Sequence, residues 1–126
     1  MQNERGFTLI EVMMALVIMT AVLLAMGGVT ASFVHQVAVA DRNTAALQLA
    51  DARIEAIQTD PYYAGLDTAY AGTEADFPTL PGYTRTTTIL AVGGAGQAVN
   101  YKKITVTVDG PGLAQPVART ITVGAP

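Results

Sequence analysis

The sequence predicts an α+β fold: one long N-terminal helix, apolar in its first half and amphipathic in its second, packed on a small three-stranded antiparallel sheet. Three observations carry this. An uncharged apolar block runs from Val12 to Val29. Apolar or small residues then continue at helical spacing as far as Ile57. Beyond residue 82, three segments rich in β-branched residues are separated by glycine-rich turns. At 126 residues the chain holds one domain and at most one accessory element. Removing a membrane segment leaves about ninety residues, enough for a thin core. Hydrophobic residues make up 51% of the chain and charged ones 13%. The net charge of −3, with Lys102-Lys103 as the sole basic pair, argues against a nucleic-acid surface. With no cysteine, disulfides and thiolate metal sites are excluded.

The first element is the apolar helix. Met, Leu and Ala dominate residues 7–29 and proline is absent, so a helix is favoured. Its length suits a membrane crossing. Arg5 is the one basic residue near its start and Arg42 the next beyond its end, a bias that weakly places the N-terminus in the cytoplasm. A cleaved secretory signal would have a short apolar stretch, and Ala38-Val39-Ala40 would serve as its cut site. The block is longer than that, and Ala40 lies well past its end. A plain single-pass anchor fits the length but leaves Glu11 unexplained. An acid at the centre of a membrane helix costs roughly 2.5–3.5 kcal/mol, so it needs a partner or sits uncharged.

Arg5-Gly6-Phe7-Thr8-Leu9-Ile10-Glu11, followed directly by the apolar run, resembles the processing site of type IV prepilins and pseudopilins. The resemblance implies that a dedicated prepilin peptidase removes residues 1–6 by cutting after Gly6, and that Phe7 is then N-methylated. It implies residues 7–34 as the transmembrane and assembly half of the helix, and residues 35–126 as a periplasmic or extracellular head. It also implies insertion in the bacterial inner membrane, contact with lipid and with an assembly platform there, and assembly with other pilins through the N-terminal helix. On this reading Glu11 pairs with the amine of Phe7 on a neighbouring subunit, and Thr8 supplies a further hydrogen bond. Two charges brought together in hydrocarbon relieve each other's cost.

The helix is expected to continue past the membrane. Phe33, Val37, Ala40, Thr44, Leu47, Ala50, Ile54 and Ile57 form one stripe, and Thr59-Asp60-Pro61 ends it. A helix from Phe7 to Gln58 would be about 78 Å long. Gly27-Gly28 reads either as a close helix–helix contact or as a place where the helix bends or melts on leaving the bilayer.

Residues 60–82 read as a loop, rich in Pro, Gly, Asp and Tyr. The expected strands are Tyr83–Val92, Tyr101–Val108 and Pro116–Val123, a meander over 83–123. Ile104, Val106 and Val108 share one face; Val117, Ile121 and Val123 share a face with Arg119. Three short strands need a partner, and the helix stripe offers one. The run ADARIEAIQTDPYYAGL followed by such strands looks similar to the smaller minor pilins and minor pseudopilins.

No catalytic constellation is found. Asp60, Asp67, Glu74 and Asp76 crowd one loop and can be read as solvated acids or as a calcium site, although they match no EF-hand spacing. Gly93-Gly94-Ala95-Gly96 reads as a hairpin turn, since no Lys-Ser/Thr follows. His35 and Ser32 are the sole residues of their types, which leaves no metal pair and no triad. Tyr62 and Tyr63 suit a subunit contact or local packing. The expectation is a non-enzymatic subunit of a type IV pilus or type II secretion pseudopilus, without cofactor or nucleic acid. The alternative is a membrane-anchored small β-domain that binds a ligand and does not polymerise. A third reading is a competence-type pilus subunit that contacts DNA; the acidic net charge argues against it, though Lys102, Lys103 and Arg119 could form a local basic spot on the sheet.

Overall fold

The computed structural model describes residues 6–126; the rest of the expected leader lies outside the described residues. Helix α1 spans Leu9–Thr59. A 3-10 turn, Tyr63–Gly65, leads into α2, Leu66–Tyr70. Four strands follow: β1 Gly72–Glu74, β2 Thr84–Gly93, β3 Asn100–Asp109 and β4 Val117–Gly124. They form one antiparallel sheet in chain order. The chain divides into two compact units, one ending at Ala38 and one spanning Val39–Pro126. The α+β arrangement is as expected, with one strand more.

In the second unit β3 is the spine. Its alternation buries Ile104, Val106 and Val108 completely, against Ala46, Ala50 and Ile57 of α1 and Leu66 of α2. Each buried Ile or Val contributes about 1.5–3 kcal/mol by leaving water. Alanine at 46 and 50 keeps the helix surface low where it packs on the sheet. Tyr83 closes one end, its hydroxyl donating to the Pro111 carbonyl at 3.2 Å. The β2–β3 hairpin turns at Gly93, with φ +78°, where a Cβ would run into the Val99 carbonyl. Glycine is required there.

The helix stripe is corrected in its first half. The buried positions are Ala46, Ala50 and Ile57, flanked by half-buried Val39, Asn43, Leu47, Leu49, Arg53 and Ile54 among others, while Phe33, Val37, Ala40 and Thr44 are exposed. The sequence offers two adjacent rows of small or apolar residues there. The row bearing Ala46 wins because it presents the smaller side chain at the point of closest packing.

The loop expected over 60–82 is corrected more deeply. It contains the 3-10 turn, α2 and β1, and β1 pairs with β2 through Gly72↔Thr87, Thr73↔Thr86 and Glu74↔Arg85. These elements escape a hydrophobic-pattern search because charge holds them. Lys102, 5% exposed on the helix-facing side of β3, donates to Asp67 Oδ2 at 2.6 Å and to the Tyr63 carbonyl at 2.9 Å. Glu74 Oε2 accepts from Arg53 Nη2 at 2.7 Å and from Arg85 Nη2 at 2.8 Å. Asp60 Oδ1 accepts from the Tyr62 amide at 2.8 Å and its Oδ2 from the Tyr70 hydroxyl at 3.0 Å.

Candidate functional site

The N-terminal unit is built on a helix that returns two of its hydroxyls to its own backbone. The Thr8 carbonyl accepts the amides of Glu11 at 3.0 Å and Val12 at 3.2 Å, which opens the helix. Thr20 Oγ1 donates to the Leu16 carbonyl at 2.8 Å and Thr30 Oγ1 to the Met26 carbonyl at 3.0 Å. Both hydroxyls are bonded back one turn, as a helix in hydrocarbon requires. From Phe7 to Val37 every side chain is exposed. The helix is long and apolar enough to cross a membrane, and none of its most apolar stretch is buried within the chain.

At the head of this helix, Gly6, Phe7 and Thr8 precede the first turn. Phe7 is 82% exposed. Thr8 stands at the position before the helix and Glu11 in its first turn. Thr8-x-x-Glu11 has the spacing of a capping box, in which a hydroxyl and a carboxylate attend the first free amides. Sequence reading passed over this signal, although the spacing is legible in Thr8-Leu9-Ile10-Glu11. A carboxylate there also faces the positive end of the helix dipole, worth about 0.3–1 kcal/mol. Among the described residues, Glu11 forms no ion pair. Gly27 and Gly28 lie within the helix, and a Cβ on either would meet nothing within 4 Å. Nothing in the described chain demands glycine at these positions.

The head shows how its charged residues are used. Arg53 and Arg85, with side chains 14% and 12% exposed, converge on one oxygen of Glu74. Arg85 Nη1 also donates to the Leu49 carbonyl at 3.0 Å, and Arg53 Nε to Thr87 Oγ1 at 3.4 Å. Arg53 lies over the Tyr70 ring at 5.1 Å and Arg85 over Phe77 at 5.2 Å. These arginines tie α1, β1 and β2 together. The Asp60 carboxylate holding the Tyr70 hydroxyl, followed by burial, raises the Tyr70 pKa above its ordinary 10.0.

The local basic spot is not formed. Lys102 and Lys103 are neighbours on a strand, so they point to opposite faces. Lys102 is buried against Asp67, and Arg119 Nε reaches Asp51 Oδ1 of α1 at 3.2 Å. Only Lys103 stands on the outer face. Three of the four loop acids are likewise dispersed: Asp60 to Tyr62 and Tyr70, Asp67 to Lys102, and Glu74 to the arginines. Of the two tyrosines, Tyr62 is exposed, whereas Tyr63 lies beneath the Lys102 ammonium at 4.9 Å.

The family model of the prokaryotic N-terminal methylation motif matches residues 1–27. No curated protein and no solved structure matches the chain. The matched segment spans the Gly6-Phe7 junction, Glu11 and the start of the exposed apolar helix. It carries the class III signal read by prepilin peptidases and covers the first 27 of the 126 residues, a match that supports a type IV pilin-like protein.

Proposed function

We propose that the chain is a non-enzymatic structural subunit, a minor pilin or minor pseudopilin of a type IV pilus or a type II secretion pseudopilus. The methylation motif over residues 1–27 carries this reading. Cleavage falls after Gly6, and Phe7 becomes an N-methylated terminus. Residues 7–34 hold the chain in the inner membrane with the N-terminus cytoplasmic, and residues 35–126 form the periplasmic or filament-borne head. The apolar helix, exposed on all sides within the chain, supports this assignment, because lipid or other helices must cover it. Glu11 pairs with the Phe7 amine of a neighbouring pilin and sets axial register, with Thr8 adding a hydrogen bond. The assembly platform receives the chain in the membrane, and the head needs no cofactor.

Mass spectrometry of the N-terminus, in cells with and without the processing peptidase, tests the reading. A mature chain starting at N-methyl-Phe7 only when the peptidase is present is expected. A start at Asp41 would mean an ordinary secreted protein, and an intact Met1 a membrane-anchored β-domain that does not polymerise. The role of Glu11 is tested separately: Glu11→Ala should cut incorporation into filaments about tenfold or more, the loss of one pair worth over 1.4 kcal/mol. Unchanged assembly would overturn the pairing.

A further inference from the structure

The segment after Tyr62 is a tandem repeat. YAGLDTA at residues 63–69 is followed directly by YAGTEAD at residues 70–76, and Phe77 begins a third unit that departs at once. Each repeat opens on Tyr-Ala-Gly and places an acid on the same face of its pattern, Asp67 in the first and Glu74 in the second. The backbones differ. The first repeat forms the 3-10 turn and most of α2, whereas the second extends through Gly72, at φ +134°, into β1. Like residues in unlike backbones point to a shared role for the side chains.

That role is visible in the contacts. In the first repeat, Lys102 Nζ lies 4.9 Å from the centre of the Tyr63 ring and 2.6 Å from Asp67 Oδ2. In the second, the Arg53 guanidinium lies 5.1 Å from the Tyr70 ring, and its Nη2 is 2.7 Å from Glu74 Oε2. Each cation sits between a ring face and a carboxylate, both of which favour positive charge. Arg85 joins the second repeat, with Nη2 2.8 Å from Glu74 Oε2 and its guanidinium 5.2 Å from the Phe77 ring. The repeats supply the rings and the acids, while β3, α1 and β2 supply the cations. The three cations are nearly buried, and Asp67 and Glu74 stay partly exposed.

We propose that residues 63–77 are a strap of two tandem cation clasps, the first closed on an ammonium and the second on guanidiniums, which open one at a time. Among the described residues the two clasps share no side chain, and contributions without a common partner are close to additive. Helix α2 has five residues and β1 three, too few to keep their shape unaided. Each depends on its own clasp. Opening the first withdraws Leu66 from the core and leaves β1 paired with β2. Opening the second frees β1 and leaves Leu66 in place.

The test uses the full chain in detergent micelles, with amide exchange followed residue by residue. The Gly65 amide, bonded to the Tyr62 carbonyl, and the Ala71 amide, bonded to the Asp67 carbonyl, report on the first clasp. The amides that pair β1 with β2 report on the second. Asp67→Asn should speed the first set roughly tenfold or more and leave the second within about twofold. Glu74→Gln should do the reverse. Acceleration of both sets by either substitution means a strap that opens as one body, and overturns the proposal. The ligand class is read on Lys102→Ala, which empties the first clasp. n-Propylammonium, the piece removed, should return the first set most of the way to its original rate, and n-propanol at the same concentration should not. No recovery with the ammonium, or equal recovery with the alcohol, overturns the cation clasp. Tyr63→Leu and Tyr63→Phe decide the same point if the alanine variant does not fold. Leucine should speed the first set and phenylalanine, which keeps the ring face, should not; equal rates in the two overturn the clasp.

Discussion

The two units of this chain solve opposite problems with similar amounts of apolar side chain. In the N-terminal unit, the backbone and the Thr20 and Thr30 hydroxyls bond within the helix and the apolar side chains are left outside. In the head, the apolar side chains meet on β3, and lysine and arginine fasten the segments that bury too little to hold themselves. Hydrophobic residues in the first unit therefore say nothing about its internal stability. Those in the second decide whether it folds.

The largest expected effect tests that contrast. Ile104→Ala should destabilise the head by about 2–5 kcal/mol in denaturant unfolding of the micellar chain, since it empties a fully buried site. The matched change Ile18→Ala, at an exposed helix position, should leave the unfolding midpoint in place. Equal effects would break the division of roles. Next comes Lys102→Met, which leaves Asp67 and the Tyr63 carbonyl without their donor. It should cost roughly 3 kcal/mol, less if water reaches half-exposed Asp67, and should raise amide exchange over residues 63–70 before the rest of the head. Glu74→Gln should follow, at about 1.5–3 kcal/mol, because two guanidiniums then share a neutral group.

Smaller effects come from the first unit. Gly27→Ala and Gly28→Ala should each stabilise the isolated helix by up to about 1 kcal/mol, read as slower amide exchange in micelles. If those same variants assemble poorly, the glycines serve a contact with a neighbouring helix. The smallest effect is the alkaline titration of Tyr70. Its folded pKa lies above the ordinary 10.0, so the folded head holds that proton longer than the unfolded chain does. Its contribution is fully present below pH 10.0 and is lost as pH rises through the folded value. Tyr70→Phe should remove this part of the pH dependence of thermal unfolding.

Much of this arrangement was legible in the sequence. The alternation Ile104, Val106, Val108 announced the central strand, and Pro61 announced the end of the long helix. RGFTLIE carried the processing signal in seven residues, because a peptidase reads a short linear stretch. The organisation of residues 60–82 was illegible for a physical reason. Its elements are fixed by Lys102, Arg53 and Arg85, which lie up to 39 positions away, and no apolar period reports an ion pair. Whether Lys102, Lys103 and Arg119 share a basic spot was not legible, because their side-chain directions depend on sheet register and on which face meets the helix. Within the N-terminal site, the apolar run and Glu11 stood out, while the Thr8–Glu11 spacing went unread beside them.

The back-bonded hydroxyls of Thr20 and Thr30 carry a last consequence. Groups closed within the helix's own turns keep the same internal bonding in lipid as against another helix. For its apolar side chains, moving between the two exchanges contacts of similar strength. A transfer whose apolar contributions nearly cancel can be tipped in either direction by one charged group, and the first turn of this helix holds such a group.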